Sequence, residues 1–230
     1  RVLFRSPVGV DMQIAQAIAD EIGVKLEIKN VKFDTILSSV NSGKGSMGIA
    51  GISVTEERAQ EVDFSINYAT SKQYIILPQD SEVTKIEDLA GMSIGVQLGT
   101  TGDIIVSEEI SGTEDEETKE HIQGVLEGTG ASVTQYNSAA DAAVAMNSGK
   151  VDAVVIDKLP AEIVASQYEN FKAIELVYAD GQNTEESYAV CVAKGNQELL
   201  DVVNQVIERL IDDGTIDEWI TDHTMQASES

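Results

Sequence analysis

The chain has 230 residues, with 15 Lys plus Arg against 40 Asp plus Glu, a formal net charge of −25. That balance excludes a general affinity for nucleic acid or an anionic membrane, while the length allows one large domain or two small ones, each with a real core. A single cysteine, Cys191, rules out an internal disulfide, and with His121 and His223 far apart a Cys- or His-based metal site and a catalytic triad have no support, so no cofactor is expected.

Residues 1–6, RVLFRS, lack an initiator Met and back-translate to a sequence resembling the end of a sequencing adapter. They are expected to be a translated artefact, outside fold reasoning, with the chain's own opening strand lost. From Asp11 to Ile22, Met12, Ile14, Ala15, Ile18, Ala19 and Ile22 form one apolar helical stripe, which Gly23 ends. Val24–Ile28 alternates as a strand, Asp34 caps a helix carrying Ile36, Leu37 and Val40, and Met47–Ile52 is a buried strand. Tyr74–Leu77 is a short strand, and IEDLAG a short helix.

The pattern then repeats. Strand Ser93–Gln97 leads past the acidic stretch TEDEETKE, a solvated face, to strand Ser132–Tyr136, helix Asp141–Met146 and buried strand Val151–Ile156. The tetrapeptide NSGK stands at 41–44 and again at 147–150, each time between a helix and an apolar strand. The matching order predicts two lobes of similar βαβαβ build. The first copy lacks the strand that opens the second. Helix Pro160–Gln167, strand Ala173–Val177, strand Tyr188–Ala193, helix Leu199–Ile211 and a last helix around Ile216–Ile220 follow. Cys191 lies in the apolar run SYAVCVA as a buried small hydrophobe, and the QASES tail is expected to fray.

The stretch Ala50–Phe64, AGISVTEERAQEVDF, carries the chemistry. Thr55 has the type of a helix N-cap, and Glu56 and Glu57 suit a first turn. Arg58 gains nothing from that dipole. With free N–H groups at the helix start and the Ser53 hydroxyl, its guanidinium makes a carboxylate receptor. A surface arginine paired with Glu61 or Asp63 explains this stretch equally well.

Five segments together resemble the extracellular solute-binding proteins of ABC transporters, in the polar amino-acid cluster: GVDMQIAQAIADEIG, VKFDTILSSVNSGK, GISVTEERAQEVDFS, IEDLAGMSIGVQLGTTG and SGKVDAVVID. The resemblance runs from about Gly9 to about Trp219. It implies two α/β lobes joined by two hinge strands, with the ligand in the cleft between them, as open α/β sheets bind at the carboxyl ends of their strands. Lobe one would be 7–69 plus 189–230, lobe two 74–185, and the hinge 70–73 and 186–188.

By the same resemblance Arg58 clamps the ligand α-carboxylate, and Thr101 donates to it from lobe two. Gly51 and Ser53 hold the α-amino group through a carbonyl and a hydroxyl, Asp157 pairs with the ammonium, and Phe33 packs on the ligand side chain. Gln97 and Thr100 face the region of that side chain. The family's first strand and following loop bring an aromatic and a polar residue to the ligand side chain, and neither is found here. The implied partners are a free amino acid and an ABC permease, with the protein a monomer, outside the cytoplasm, behind a signal peptide or lipoprotein anchor absent from this chain. Read alone, Phe33 is core, Asp157 caps the Pro160 helix, and Thr100 and Thr101 cap the helix after them. A cyclohexadienyl-type dehydratase on the same fold and an extracellular sensor domain stand as rivals. Gly95, Gly99 and Gly102 do not make a dinucleotide fingerprint.

Overall fold

A computed structural model of the chain describes residues 2–4, 9–115, 117–178 and 180–228. It divides into two compact α/β units: one takes the residues up to Ser71 and those from Glu186 on, the other is Lys72–Glu185. The first unit begins with β1 (Val2–Phe4), α1 (Val10–Ile22), β2 (Ile28–Asn30), α2 (Ile36–Asn41), β3 (Met47–Ser53), α3 (Glu56–Glu61), β4 (Val62–Phe64) and β5 (Ala69–Ser71). The second holds β6 (Gln73–Pro78), β7 (Ser93–Gln97), α4 (Thr101–Ser111), the hairpin β8 (Thr113–Glu114) and β9 (His121–Ile122), β10 (Ser132–Tyr136), α5 (Ala139–Asn147), β11 (Ala153–Asp157), α6 (Lys158–Gln167) and β12 (Phe171–Glu175). The chain then returns to the first unit through β13 (Glu186–Ala193), α7 (Gln197–Asp212) and α8 (Thr215–Ser228).

The sheet of the first unit runs β2-β1-β3-β13-β4, with β5 also on β13. Strand β3 is near-continuously apolar because helices cover both faces. On one face Met47 and Ile49 pack with Ile14 and Ile18 of α1 and with Val203, Val206 and Ile207 of α7. On the other, Ile52 packs with Phe33, Ile36, Val40 and Cys191. Gly48 lets α2 approach: a Cβ there would lie 2.5 Å from Ile36 Cγ2 and 2.8 Å from the Cys191 sulfur. Cys191 is fully buried, and burial pushes its thiol up to about 12, consistent with a packing role.

The expected gap at the head of this sheet is filled. Strand β1 pairs in parallel with both neighbours, Val2 opposite Ile28 on one side and Met47 on the other. Val, Leu and Phe are apolar, and Val and Phe are strong β-formers. Three residues suffice to satisfy backbone groups of β2 and β3 that are costly to bury unpaired. The loop expected to be missing after this strand falls on residues 5–8, outside the described residues. The alternating run Val24–Ile28 is not a strand either. Gly23 ends α1 in the left-handed region at φ 76°, and the Val24 N–H closes on the Ala19 carbonyl at 3.0 Å. The first residues after the helix are thus consumed by its C-cap, and pairing starts only at Ile28. Asp34 is not a cap: it lies in a 3₁₀ turn, Phe33–Thr35, ahead of α2. The last helix is far longer than Ile216–Ile220 and takes in most of the tail.

In the second unit the order is β10-β7-β11-β6-β12, with β10, β7 and β11 parallel and β6 antiparallel to both its neighbours. Alternation along β11 sends Ala153 and Val155 to a core with Ile94, Val96 and the α4 residues Ile105 and Val106. Val154 and Ile156 go to a core with Ala139, Ala142 and Ala143 of α5 and Ala161 of α6. The parallel order brings the carboxyl ends of β7 and β11 side by side. Among the described residues, no helix is long and apolar enough to cross a membrane.

Candidate functional site

In the first unit the candidates gather where β3 ends. Thr55 caps α3, accepting the Arg58 N–H at 3.2 Å. The cap turns the Arg58 side chain back to the strand, where Nη1 donates to the Ser53 carbonyl at 2.8 Å. The guanidinium carbon lies 5.6 Å from the centre of the Phe33 ring, within cation–π range. Arg58 is only 8% exposed. The surface-arginine alternative fails on that number, and Asp63 is engaged elsewhere, 3.0 Å from Lys194 and accepting the Gly195 N–H. A buried guanidinium oriented by a carbonyl and a ring presents a fork suited to a carboxylate. Phe33 is both core and support: it packs with Ile36 and Val40 and lies against Arg58.

Two residues before Ser53, Gly51 takes φ 57°, a backbone that favours glycine. Its N–H donates to the Tyr68 hydroxyl at 3.2 Å, and that hydroxyl donates to Asp11 at 2.7 Å. This relay was not legible in the sequence, since Tyr68 lies in the irregular stretch after β4. Burial raises the Asp11 carboxyl above its usual range, against the hydrogen bond from Tyr68, and pushes the Tyr68 phenol up well above its own. A raised carboxyl pKa means the folded state holds the proton more tightly than the unfolded one. Stability from this group is therefore greatest at low pH and falls as pH rises from 3.8 through the folded value. Asp11→Asn keeps an acceptor for Tyr68 and removes the half-buried charge. We expect it to raise Tm at pH 7, with the gain closing as pH falls toward 3.8. A thermal melt series across pH checks this, and a gain that grows on acidification would contradict it.

The Ser53 hydroxyl donates to a carboxylate oxygen of Glu186 at the head of β13, and both residues are buried. Glu186 escaped the sequence reading because it is one of two successive glutamates beside an apolar run, with nothing to distinguish it from a solvated charge.

In the second unit Thr100 caps α4, accepting from the Asp103 N–H at 3.4 Å and donating to the Gln97 carbonyl at 2.8 Å. Thr101 is the first residue of that helix, where the backbone N–H groups lack helical partners. Gly102 lets the helix start close on β11, since a Cβ there would lie 3.1 Å from the Val155 carbonyl. Asp103, also missed in the sequence, pins the turn: it accepts from the Gly99 N–H at 2.9 Å, Ser107 Oγ at 3.1 Å and Gln135 Nε2 at 2.8 Å. Asp157 ends β11. It occupies the N-cap position of α6 without a side-chain cap bond and instead accepts from Gln73 Nε2. Thr100, Thr101 and Asp157 thus share one edge of the sheet, the carboxyl ends of β7 and β11.

Gln97 ends β7 at that same edge but lies on the other face. It pairs with Tyr136 and shares by alternation the face of Gly95, whose neighbours are Val151, Val154 and Tyr136. That is the α5 face, opposite the one on which α4 packs. Its amide is buried, with no hydrogen-bond partner among the described residues. A cavity of about 650 Å³ in this unit, near Leu77, Met92, Val151 and Phe171, is at the other end of these strands and contains none of the candidates.

The family described as bacterial extracellular solute-binding proteins, family 3, matches residues 5–225. The chain is similar to the arginine-binding extracellular protein ArtP of Bacillus subtilis (strain 168), 26% identical over 93% of this chain and 78% of that protein. It is similar to the amino-acid-binding protein AabA of Dichelobacter nodosus, 30% identical over 92% and 77% respectively. Among solved structures, an ancestral arginine-binding protein bound to arginine superposes with a TM-score of 0.82 at 32% identity, over 96% of each chain.

Proposed function

The chain belongs to the bacterial extracellular solute-binding proteins, family 3, and from that premise we propose that it captures a free amino acid and delivers it to the permease of an ABC importer. In this reading it is a monomer without a cofactor, works outside the cytoplasm, and catalyses no reaction. The relatives' names, arginine-binding and amino-acid-binding, support the ligand class. The observation that carries it is Arg58, a guanidinium 8% exposed and held by the Ser53 carbonyl and the Phe33 ring. An α-amino acid is a fixed zwitterion and needs a cation for one end and an anion for the other. Arg58 takes the carboxylate together with Thr101, Ser53 and the Gly51 carbonyl take the ammonium, and Asp157 is its counter-charge. Phe33, Gln97 and Thr100 serve the ligand side chain, Phe33 through Arg58. Segments 70–73 and 186–188 act as the hinge, supported by the pairing of Ser71 with Glu186.

Thermal unfolding against each of the twenty amino acids tests the reading. A true ligand at ~100 times its dissociation constant adds about 2.7 kcal/mol of stability, and a screen in which none raises Tm overturns it. Asp157→Asn keeps the shape and removes the charge, so the best amino acid is expected to bind about tenfold more weakly, as a charged hydrogen bond becomes a neutral one. Equal affinity in calorimetric titration would take Asp157 out of the site.

A further inference from the structure

Ser53 is held at two atoms by opposite charges. Its carbonyl accepts from the Arg58 guanidinium at 2.8 Å, and its hydroxyl donates to the Glu186 carboxylate. Ser53 is 4% exposed and Glu186 9%, so this bond is made largely out of water. A serine hydroxyl has one proton to give and two lone pairs to offer. With the proton committed to a carboxylate, a charge-assisted bond, the oxygen meets any third group as an acceptor. The negative charge behind it reinforces that polarity.

We propose that Glu186 is a positioning residue that makes Ser53 an obligate acceptor, and so sets this part of the site to take a ligand ammonium. The inference rests on the amino-acid-binding reading and adds a residue and a mechanism to it. A ligand –NH₃⁺ offers three donors and one positive charge, matching an accepting hydroxyl backed by a carboxylate. A hydroxyl, a carbonyl or a second carboxylate in its place lacks the charge or repels it. Discrimination for the ammonium is thus built two atoms away from the ligand. Glu186→Gln keeps the shape and offers Ser53 an N–H as well as a carbonyl, so the direction of the bond is no longer fixed. Its amide N–H can donate to Ser53, the serine proton is released to point elsewhere, and the charge is gone.

The test uses the full chain and two probes: the amino acid that most stabilises it in the screen of twenty, and the acid of the same skeleton lacking the α-amino group. For L-arginine that acid is 5-guanidinopentanoic acid. Glu186→Gln is expected to weaken the amino acid about tenfold, the difference between a charged and a neutral hydrogen bond, and to leave the deaminated acid within about twofold of wild type. In a Ser53→Ala background, Glu186→Gln should cost nothing further, because the two residues act as one unit. A merely structural role would weaken both probes alike. Equal losses on both probes, no loss on the amino acid, or additive losses in the double variant each overturn the proposal. Should Glu186→Gln fail to fold, Ser53→Ala is read with the same two probes. It must lose the amino acid selectively, and an unselective loss overturns the proposal. Failure of the parent reading shows separately, as a wild-type chain that binds none of the twenty amino acids.

Discussion

Arg58→Ala is expected to weaken binding of the best amino acid at least about 30-fold, because removing one partner of a buried charge pair costs roughly 2–5 kcal/mol. The guanidinium is 8% exposed and already oriented by the Ser53 carbonyl and the Phe33 ring, so little ordering is left for the ligand to supply. Arg58→Lys keeps the charge and loses the fork. A lysine ammonium is a point charge on a flexible stem, and the second parallel N–H bond to the carboxylate goes with it. The matched control is the decarboxylated amine of the same amino acid, agmatine where that amino acid is arginine. It should bind wild type poorly, and Arg58→Ala should change that binding little. Calorimetric titration of both ligands against wild type and the two variants measures this directly. Wild-type affinity in Arg58→Ala would remove the carboxylate clamp, and the rest of the site assignment with it.

Leu3→Pro is expected to cost about 1–3 kcal/mol of stability, the cost of leaving a ladder partner without its hydrogen bond. Leu3 is the middle residue of β1, opposite Lys29 on one side and Gly48 on the other. With a strand on each side, the Leu3 N–H meets a ladder whichever way it points, and proline has no N–H to give. The loss should appear as a fall in Tm of at least about 2 °C at this chain length. Leu3→Val, which keeps a β-forming residue and the N–H, is the control and should stay near wild type. A shift below about 2 °C for Leu3→Pro would mean that β1 adds nothing to the sheet.

How far the site could be read in advance depended on what each residue does. Arg58 was legible because a cation in a helix first turn is out of place by the dipole rule. Thr100 and Thr101 were named through the resemblance of the LGTTG turn, since read alone they only cap the helix after them. Asp157 was named the same way, since read alone it caps the Pro160 helix. Glu186, Asp103 and the pair Asp11 and Tyr68, which the structure sets beside the candidates, were not legible at all. Each works through a neighbour that lies far along the chain or across a turn. Glu186 reaches Ser53 over 133 positions, Tyr68 reaches Asp11 over 57, and no local pattern marks such partners.

The order of elements was determined locally. Apolar stripes at helical spacing, strands buried on both faces and glycines at helix ends are properties of a few neighbouring residues, and the repeated NSGK showed that the build occurs twice. Pairing was decided only by tertiary structure. Whether Val2–Phe4 is a strand depends on β2 and β3 lying open on either side of it, not on its three residues alone. Whether Val24–Ile28 pairs depends on how much chain the C-cap of α1 takes up. Burial was decided the same way. Arg58 is a surface cation or a buried one according to what packs over it, and only the folded chain sets Phe33 and the Ser53 carbonyl against it, where a guanidinium out of water is worth most.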